Sequence, residues 1–381
     1  MVGSKTPRFD QIGQVFDVVP RLFRAVVGKE TQIGEIGVPV EKEAEAFAGA
    51  AAVAAFLQSS APVVLQLPGG KVLTIPINAA WHNGANVIKD GGDDPDVTTG
   101  CEIRVELQCF DGPPLASDYV ENEDALELII RGGDGVGHVT RPGLAVPVGK
   151  AAINPTPRKM LLHNLLAVGC KGRYLVTISV PLGEEIAMKT LNPTLGVVGG
   201  ISILGNSGIV RPYSNAAYAA TIALQLKSIA ANGLAIAALV TGNRSADAVR
   251  RDYPQLPEEA IVRIGDFIYV AVNAAGKAGI KTLIIGCMPG KLFKYACGEK
   301  NTHAHNCKLT LSRLRDFGIE LPGIALETMD TMGELATHLD EMTYKNVLTE
   351  VFAQAKLTLQ QWAKNMDVDL ILYDDAGRKL I

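Results

Sequence analysis

The first strong pattern along the chain is apolar without alternation: Phe47 to Leu57, eleven residues dominated by alanine. Alanine is the best helix former, so Glu43 to Leu57 reads as a helix. The run is too short for the ~18 apolar residues that a membrane span needs. Next, Ala61 to Ile77 shows two β-like runs, Val63-Val64-Leu65 and Val72-Leu73-Thr74-Ile75, around a Pro68-Gly69-Gly70 turn. That is a hairpin signature. Short β-like runs follow at Ile103–Cys109, Leu126–Ile130 and Tyr174–Val180, separated by loops rich in Gly and Pro, notably Arg131 to Pro157. Strands with one or two helices and no βα repeat predict a mixed α+β domain over 41–195. Residues 1–40 are weakly patterned, and Pro20 interrupts any helix there.

From about Gly196 the pattern changes. Four apolar runs each end at a glycine: Ile201–Leu204 at Gly205, Ala235–Val240 at Gly242, Ile261–Ile264 at Gly265, and Lys281–Ile285 at Gly286. Helical stretches follow each of them, beginning with Ser214 to Ala231. A last helix over Tyr344–Ala363 and a last strand over Val368–Tyr373 complete the alternation. Near-continuous apolar strands alternating with helices predict a mainly parallel sheet covered on both faces, a three-layer α/β domain over 196–381. Ligands of such sheets bind beyond the carboxyl ends of the strands.

Charge adds a second signal. The 381 residues carry a net charge of −4, which argues against a general nucleic-acid binder. Yet Gly135 to Ala246 holds ten bases and two acids, Glu184 and Glu185, a local +8. One sign of charge along a cleft would focus the field on an anionic ligand; alternatively, these bases pair with acids from elsewhere in the fold. Six scattered cysteines and no basic-then-apolar N-terminus fit a reduced, cytoplasmic protein with neither leader nor membrane anchor.

Most local motifs fail when tested. Gly133-Asp-Gly-Val-Gly137 lacks the third glycine spacing of a dinucleotide fingerprint, and Arg141-Pro142 blocks a following helix, so a glycine-rich turn is expected. Gly286-Cys-Met-Pro-Gly290-Lys291-Leu292 is one residue short of a phosphate loop and has Leu at the Mg²⁺-binding position; Lys291 and helix amides could still attract an anion. Gly205-Asn206-Ser207-Gly208 is one residue short of a nucleophile elbow and reads as a ligand-cradling turn. Asp90, Asp93, Asp94 and Asp96 crowd one loop. Cys101 stands where an EF-hand needs Glu, leaving a solvated turn or a set of acceptors for ligand NH groups. Cys297, His303, His305 and Cys307 match no common zinc spacing, and no metal site is expected.

Longer blocks carry more. Val87-IKDGGDDPDVTTG-Cys101, Gly132-GDGVGHVTRPGLAVPVGKAAINPTPR-Lys159, Val180-PLGEEIAMKTLNPTLGVVGGISILGNSGIVRPYS-Asn215, Val262-RIGDF-Ile268, Ile285-GCMPGKL-Phe293 and Asn301-Thr302-His303 together resemble the cobalt-precorrin-5B C1-methyltransferase family of anaerobic cobalamin biosynthesis. The resemblance spans roughly 43–381. It implies methyl transfer from S-adenosylmethionine to C1 of a ring-contracted tetrapyrrole, with cobalt entering only as part of the substrate. It agrees with an α+β domain followed by an α/β domain. One departure stands out: members usually carry a Thr-Thr-Gly-Thr-Cys-like stretch before the alanine-rich helix, and here Gly37-Val-Pro-Val-Glu-Lys-Glu43 precedes it. A tetrapyrrole-binding relative without catalysis is therefore the competing expectation. A dehydrogenase using the same crevice would lack its fingerprint.

On this reading the donor sits at the glycine edge, held by Gly205, Asn206, Ser207, Gly208, Gly242, Asp266, Gly286, Pro289, Gly290 and Lys291. Asp266 would accept ribose hydroxyls, or else cap the next helix. The acid-fringed macrocycle would meet Arg141, Arg158 and Arg211, because Arg grips carboxylates bidentately. Asp90, Asp93, Asp94, Asp96, Asn154 and His303 lie in the same family-like blocks. The macrocycle supplies its own nucleophilic carbon, so no catalytic residue is singled out. No nucleic-acid or membrane partner is expected, and a homo-oligomer is left open.

Overall fold

A computed structural model describes residues 46–91, 96–205, 214–303 and 309–381. The chain forms two compact units that divide between Ser214 and Asn215.

The first unit is built around a buried helix, α1 (Phe47–Leu57), whose residues Phe47 to Ala55 are all buried. Its methyl-sized side chains let its backbone lie close to its neighbours. It packs on β4 (Gly84–Ile88), β5 (Glu102–Cys109) and α2 (Pro155–Ala167). β1 (Val63–Gln66) and β2 (Val72–Ile75) form the expected hairpin, with Val63 opposite Ile75. The main sheet has the order β3-β4-β5-β9-β7-β6, where β3 is Ala79–Trp81, β6 Tyr119–Glu123, β7 Leu126–Gly132 and β9 Gly172–Ser179. All its pairs are antiparallel except β7 with β9. A small pair, β8 (His138–Val139) with β10 (Val197–Val198), and two short helices, α3 (Gly183–Ala187) and α4 (Asn192–Leu195), complete this α+β unit.

The Gly133–Gly137 stretch is a turn in which three backbones cross. The Val180 amide donates to the Asp134 carbonyl at 2.7 Å, and the Ile201 amide to the Gly135 carbonyl at 2.9 Å. A Cβ on Gly135 would collide with the Val180 carbonyl, and one on Gly200 with the Gly135 carbonyl. Close backbone contact, not phosphate binding, accounts for these glycines.

The second unit holds a fully parallel sheet of order β12-β11-β13-β14, where β11 is Ile236–Val240, β12 Ile261–Arg263, β13 Thr282–Cys287 and β14 Asp367–Leu372. One face packs Ala237, Leu239, Leu283, Ile285 and Leu370 against α5 (Asn215–Ala231), α7 (Ile268–Ala278), α8 (Pro289–Ala296) and α10 (Glu341–Ala363). The other packs Ala238, Val240, Ile284 and Tyr373 against Ala246, Ala248 and Val249 of α6 (Asn243–Asp252). A short helix, α9 (Met332–Ala336), lies on the long connection between α8 and α10. The three-layer α/β expectation therefore holds, with one correction. Ile201–Leu204 is not a strand of this sheet: Ile201 and Ile203 bridge to Val136 and Ile153 of the first unit. The fourth strand is β14, and the units divide later than the expected 195/196 boundary for the same reason. Among the described residues no helix is long and apolar enough to cross a membrane.

Candidate functional site

Adjacent strands β11 and β13 lead into helices on opposite faces, α6 in one core and α8 in the other. This reversal makes their carboxyl ends a topological switch point, where a crevice opens in doubly wound sheets. Around it the structure gathers polar side chains from three connections. Asp266 follows β12, Lys291 lies in the first turn of α8, and Thr302 lies beyond α8. β12 and β13 flank β11, so the Lys291–Asp266 ion pair links the two loops on either side of it.

The cluster is tightly bonded. Lys291 Nζ donates to Asp266 Oδ1, and to Thr302 Oγ1 at 2.8 Å. Thr302 Oγ1 in turn donates to the same Asp266 Oδ1 at 2.7 Å. Burial alone would raise the Asp266 carboxyl, but Lys291, Thr302 and His303 together hold it below its ordinary value. It remains an anion with a quarter of its side chain exposed. Two half-buried aromatic rings stand beside it: Tyr218 and Phe267 lie 5.2 Å apart, and Tyr218 donates to the Arg263 carbonyl at 3.2 Å. Beneath lie buried Cys287 and Tyr295, both pushed upward by desolvation. An anion, a cation and two partly exposed aromatic rings side by side suit a ligand with a polar sugar and a flat apolar part.

The other expected donor residues divide by role. Pro289 and Gly290 open α8 at the crevice, and a Cβ on Gly290 would meet nothing within 4 Å. Gly242 caps α6, but its amide is taken by Ser245 Oγ at 3.1 Å. Gly286 is buried inside β13, and a Cβ there would stand 2.8 Å from Val249 and 3.2 Å from Tyr373. Its missing side chain is explained by packing. Gly205 is buried near the end of the first unit and belongs to no strand of the parallel sheet. Asn206, Ser207, Gly208, Arg211, Asp93 and Asp94 lie outside the described residues.

The expected macrocycle residues are not gathered into one cluster. Arg158 is committed within the first unit: its guanidinium pairs with Glu121 at 2.5 Å and stacks 3.8 Å from the Tyr119 ring. Arg173 pairs with Glu127, and Lys150 donates to the Asp118 carbonyl at 2.6 Å. Three of the ten bases are thus answered by acids from outside that stretch, Arg158 by Glu121, Arg173 by Glu127 and Arg244 by Asp375. Asp96 is likewise held in its own turn by Lys89 at 2.5 Å and by Thr98. Asn154 sits at the N-cap of α2 with its side chain making no capping bond, and half-buried Arg141 lies across Gly196. Asp90 is exposed on the loop after β4. His303 follows Thr302 in the second unit and is among the groups that hold the Asp266 carboxyl down. His305 and Cys307 lie outside the described residues, among which no group of three metal-binding side chains occurs.

Sequence reasoning missed Thr302, Lys294, Tyr218 and Phe267. The Asn301-Thr302-His303 block was the one available signal for Thr302. Nothing local to the other three distinguishes them from core or surface positions.

Comparison with known proteins now bears on this geometry. A profile of the family described as CbiD matches residues 29–212, so the family match begins upstream of residue 43, where the resemblance in the sequence begins. A protein of Variovorax paradoxus named cobalt-precorrin-5B C(1)-methyltransferase is 37% identical over 82% of this chain and 87% of its own. One of a Geobacillus species with the same name is 42% identical over 87% and 90%. A crystal structure of a cobalamin biosynthesis protein (cbiD) from Archaeoglobus fulgidus is 26% identical, covers 68% of this chain and 79% of its own, and superposes with a TM-score of 0.36. With identity of this level across most of both chains, the protein belongs to the cobalt-precorrin-5B C(1)-methyltransferase family.

Proposed function

We propose that this chain methylates cobalt-precorrin-5B at C1, giving cobalt-precorrin-6A, with S-adenosylmethionine as the methyl donor. The observation that carries the reaction is the identity to named methyltransferases across more than four fifths of the chain. The donor assignment is supported by the polar cluster beyond the carboxyl ends of β12 and β13. The side chains there suit the donor's chemistry. Asp266 offers acceptor lone pairs for ribose hydroxyls, with Lys291 bonded beside it, and Tyr218 with Phe267 a partly exposed surface for the purine.

When bound, such a donor supplies an electrophilic methyl carbon on a positively charged sulfur. The protein's part is placement, and fixed orientation can account for ~7–11 kcal/mol of a barrier. Asp266 would hold the donor's ribose, and Lys291, bonded to the same carboxylate, keeps it anionic and in place. For the macrocycle, Arg141 is our candidate carboxylate partner.

An anaerobic assay with cobalt-precorrin-5B and methyl-labelled S-adenosylmethionine tests the reaction: label in the macrocycle supports it, and binding without label overturns it. Calorimetry with S-adenosylhomocysteine tests the donor site. Asp266→Ala removes a charged acceptor worth ~1.5–3 kcal/mol, so affinity should fall roughly 10–100-fold. Unchanged affinity would remove Asp266 from the site. Arg141→Met should raise the macrocycle KM while leaving S-adenosylhomocysteine affinity alone.

A further inference from the structure

Thr302 is 1% exposed, and each of its polar atoms is bonded. Its amide donates to the Asp266 carbonyl at 3.1 Å. Its carbonyl accepts from Lys294 Nζ at 2.7 Å. Its hydroxyl donates to Asp266 Oδ1 and accepts from Lys291 Nζ. One residue beyond α8 therefore ties the loop after β12 to two lysines of α8, which stand three positions apart and so share one side of that helix.

The bonds from Lys291 and Thr302 converge on one oxygen of Asp266, and among the described residues no hydrogen bond falls on Oδ2. A carboxylate held only by a flexible lysine could rotate and exchange its oxygens. With the short Thr302 hydroxyl added, the carboxylate plane is fixed and Oδ2 is the oxygen left to accept. We propose that Thr302, backed by Lys294, is the positioning residue of the donor site: it sets the orientation in which Asp266 meets the ribose hydroxyls, without itself touching the donor. This rests on the reading of Asp266 as a donor ligand. It adds that a preformed carboxylate geometry, maintained by residues outside the contact, sets the affinity for the nucleoside part.

The test compares Thr302→Val, Thr302→Ser, Lys294→Met and Asp266→Asn in the full-length protein. The readouts are S-adenosylhomocysteine affinity by calorimetry and the separate KM values for donor and macrocycle. Thr302→Val should weaken S-adenosylhomocysteine binding and raise the donor KM about tenfold, with the macrocycle KM moving less than twofold. Thr302→Ser restores the hydroxyl and should return both donor values to within about threefold of the original. A purely structural role predicts no such rescue and no split between the two KM values. Lys294→Met leaves the hydroxyl in place and should weaken binding about threefold; it carries the test if Thr302→Val does not fold. Two results overturn the proposal alone: donor affinity untouched by both Thr302→Val and Lys294→Met, or Thr302→Ser as weak as Thr302→Val, while Asp266→Asn still weakens binding. If Asp266→Asn itself binds S-adenosylhomocysteine normally, the donor-site reading fails and this inference with it.

Discussion

Gly286 and Gly290 belong to one glycine-containing motif, yet the structure gives them opposite surroundings. A methyl group on Gly286 would press on Val249 and Tyr373 in the core under α6, while one on Gly290 meets open space. Gly286→Ala should therefore cost ~1–3 kcal/mol, as overpacked cores do. Gly290→Ala, at the exposed start of a helix, should stay within ~0.5 kcal/mol. Urea unfolding followed through Trp362 measures both, and equal costs would refute the distinction. The basic stretch teaches a related lesson. Its excess was legible as a count, but the acids that answer part of it, Glu121 and Glu127, precede the stretch in sequence and meet Arg158 and Arg173 only where α2 packs on β6 and β9 pairs with β7. Arg158→Met should consequently behave as the loss of a half-buried ion pair, costing ~1–3 kcal/mol because Glu121 is left without its cation. Its effect on stability should exceed any effect on macrocycle binding, and a stable variant with a raised macrocycle KM would reverse that assignment.

Elements were legible where composition alone decides them. The alanine run forms α1, and the hairpin and the four strands of the second unit's sheet stand where the pattern put them. Ile201–Leu204 misled for a physical reason. Its burial alternates, with Ile201 and Ile203 inside and Leu204 exposed, as in a half-covered strand, whereas Ala237–Val240 is buried throughout. In four residues closed by glycine the two cases look alike, and only the partners, Val136 and Ile153, separate them. Thr302 was illegible as a site residue because its contact with Asp266 depends on the path of the chain after α8. α1 offers a test at this scale. Ala51 is fully buried in a helix enclosed by β4, β5 and α2, so no side of it has room for a longer side chain. Ala51→Leu adds three carbons and should destabilise the first unit by ~1–3 kcal/mol despite leucine's good helix propensity. A neutral result by urea unfolding would mean that the helix can move away from the sheet.

Across the whole molecule, each unit carries a carboxylate whose anionic form the fold favours. Asp118, 2% exposed, would be raised by burial, but the bidentate Arg131 guanidinium at 2.7 and 3.0 Å holds it below its ordinary value. Asp266 is held down in the second unit by Lys291 and Thr302 against the same desolvation. A group with a depressed folded-state pKa contributes stability that is fully present above its unfolded value, ~3.9 for Asp, and is lost as pH falls through the folded value. Both units should therefore weaken below about pH 4 and keep this contribution at neutral pH. The chain holds two tryptophans, Trp81 in the first unit and Trp362 in the second, so Trp362→Phe and Trp81→Phe backgrounds isolate one unit each. In the first background, Asp118→Asn should lower the urea midpoint at pH 7, with the difference from the parent shrinking as the pH falls below about 4 and the Asp118 carboxyl takes up its proton. Asp266→Asn should do the same for the Trp362 transition only. A difference that stays constant from pH 7 to pH 2 would show that the substitutions act through packing rather than charge, and the electrostatic account of the Asp266 site would have to be withdrawn with it.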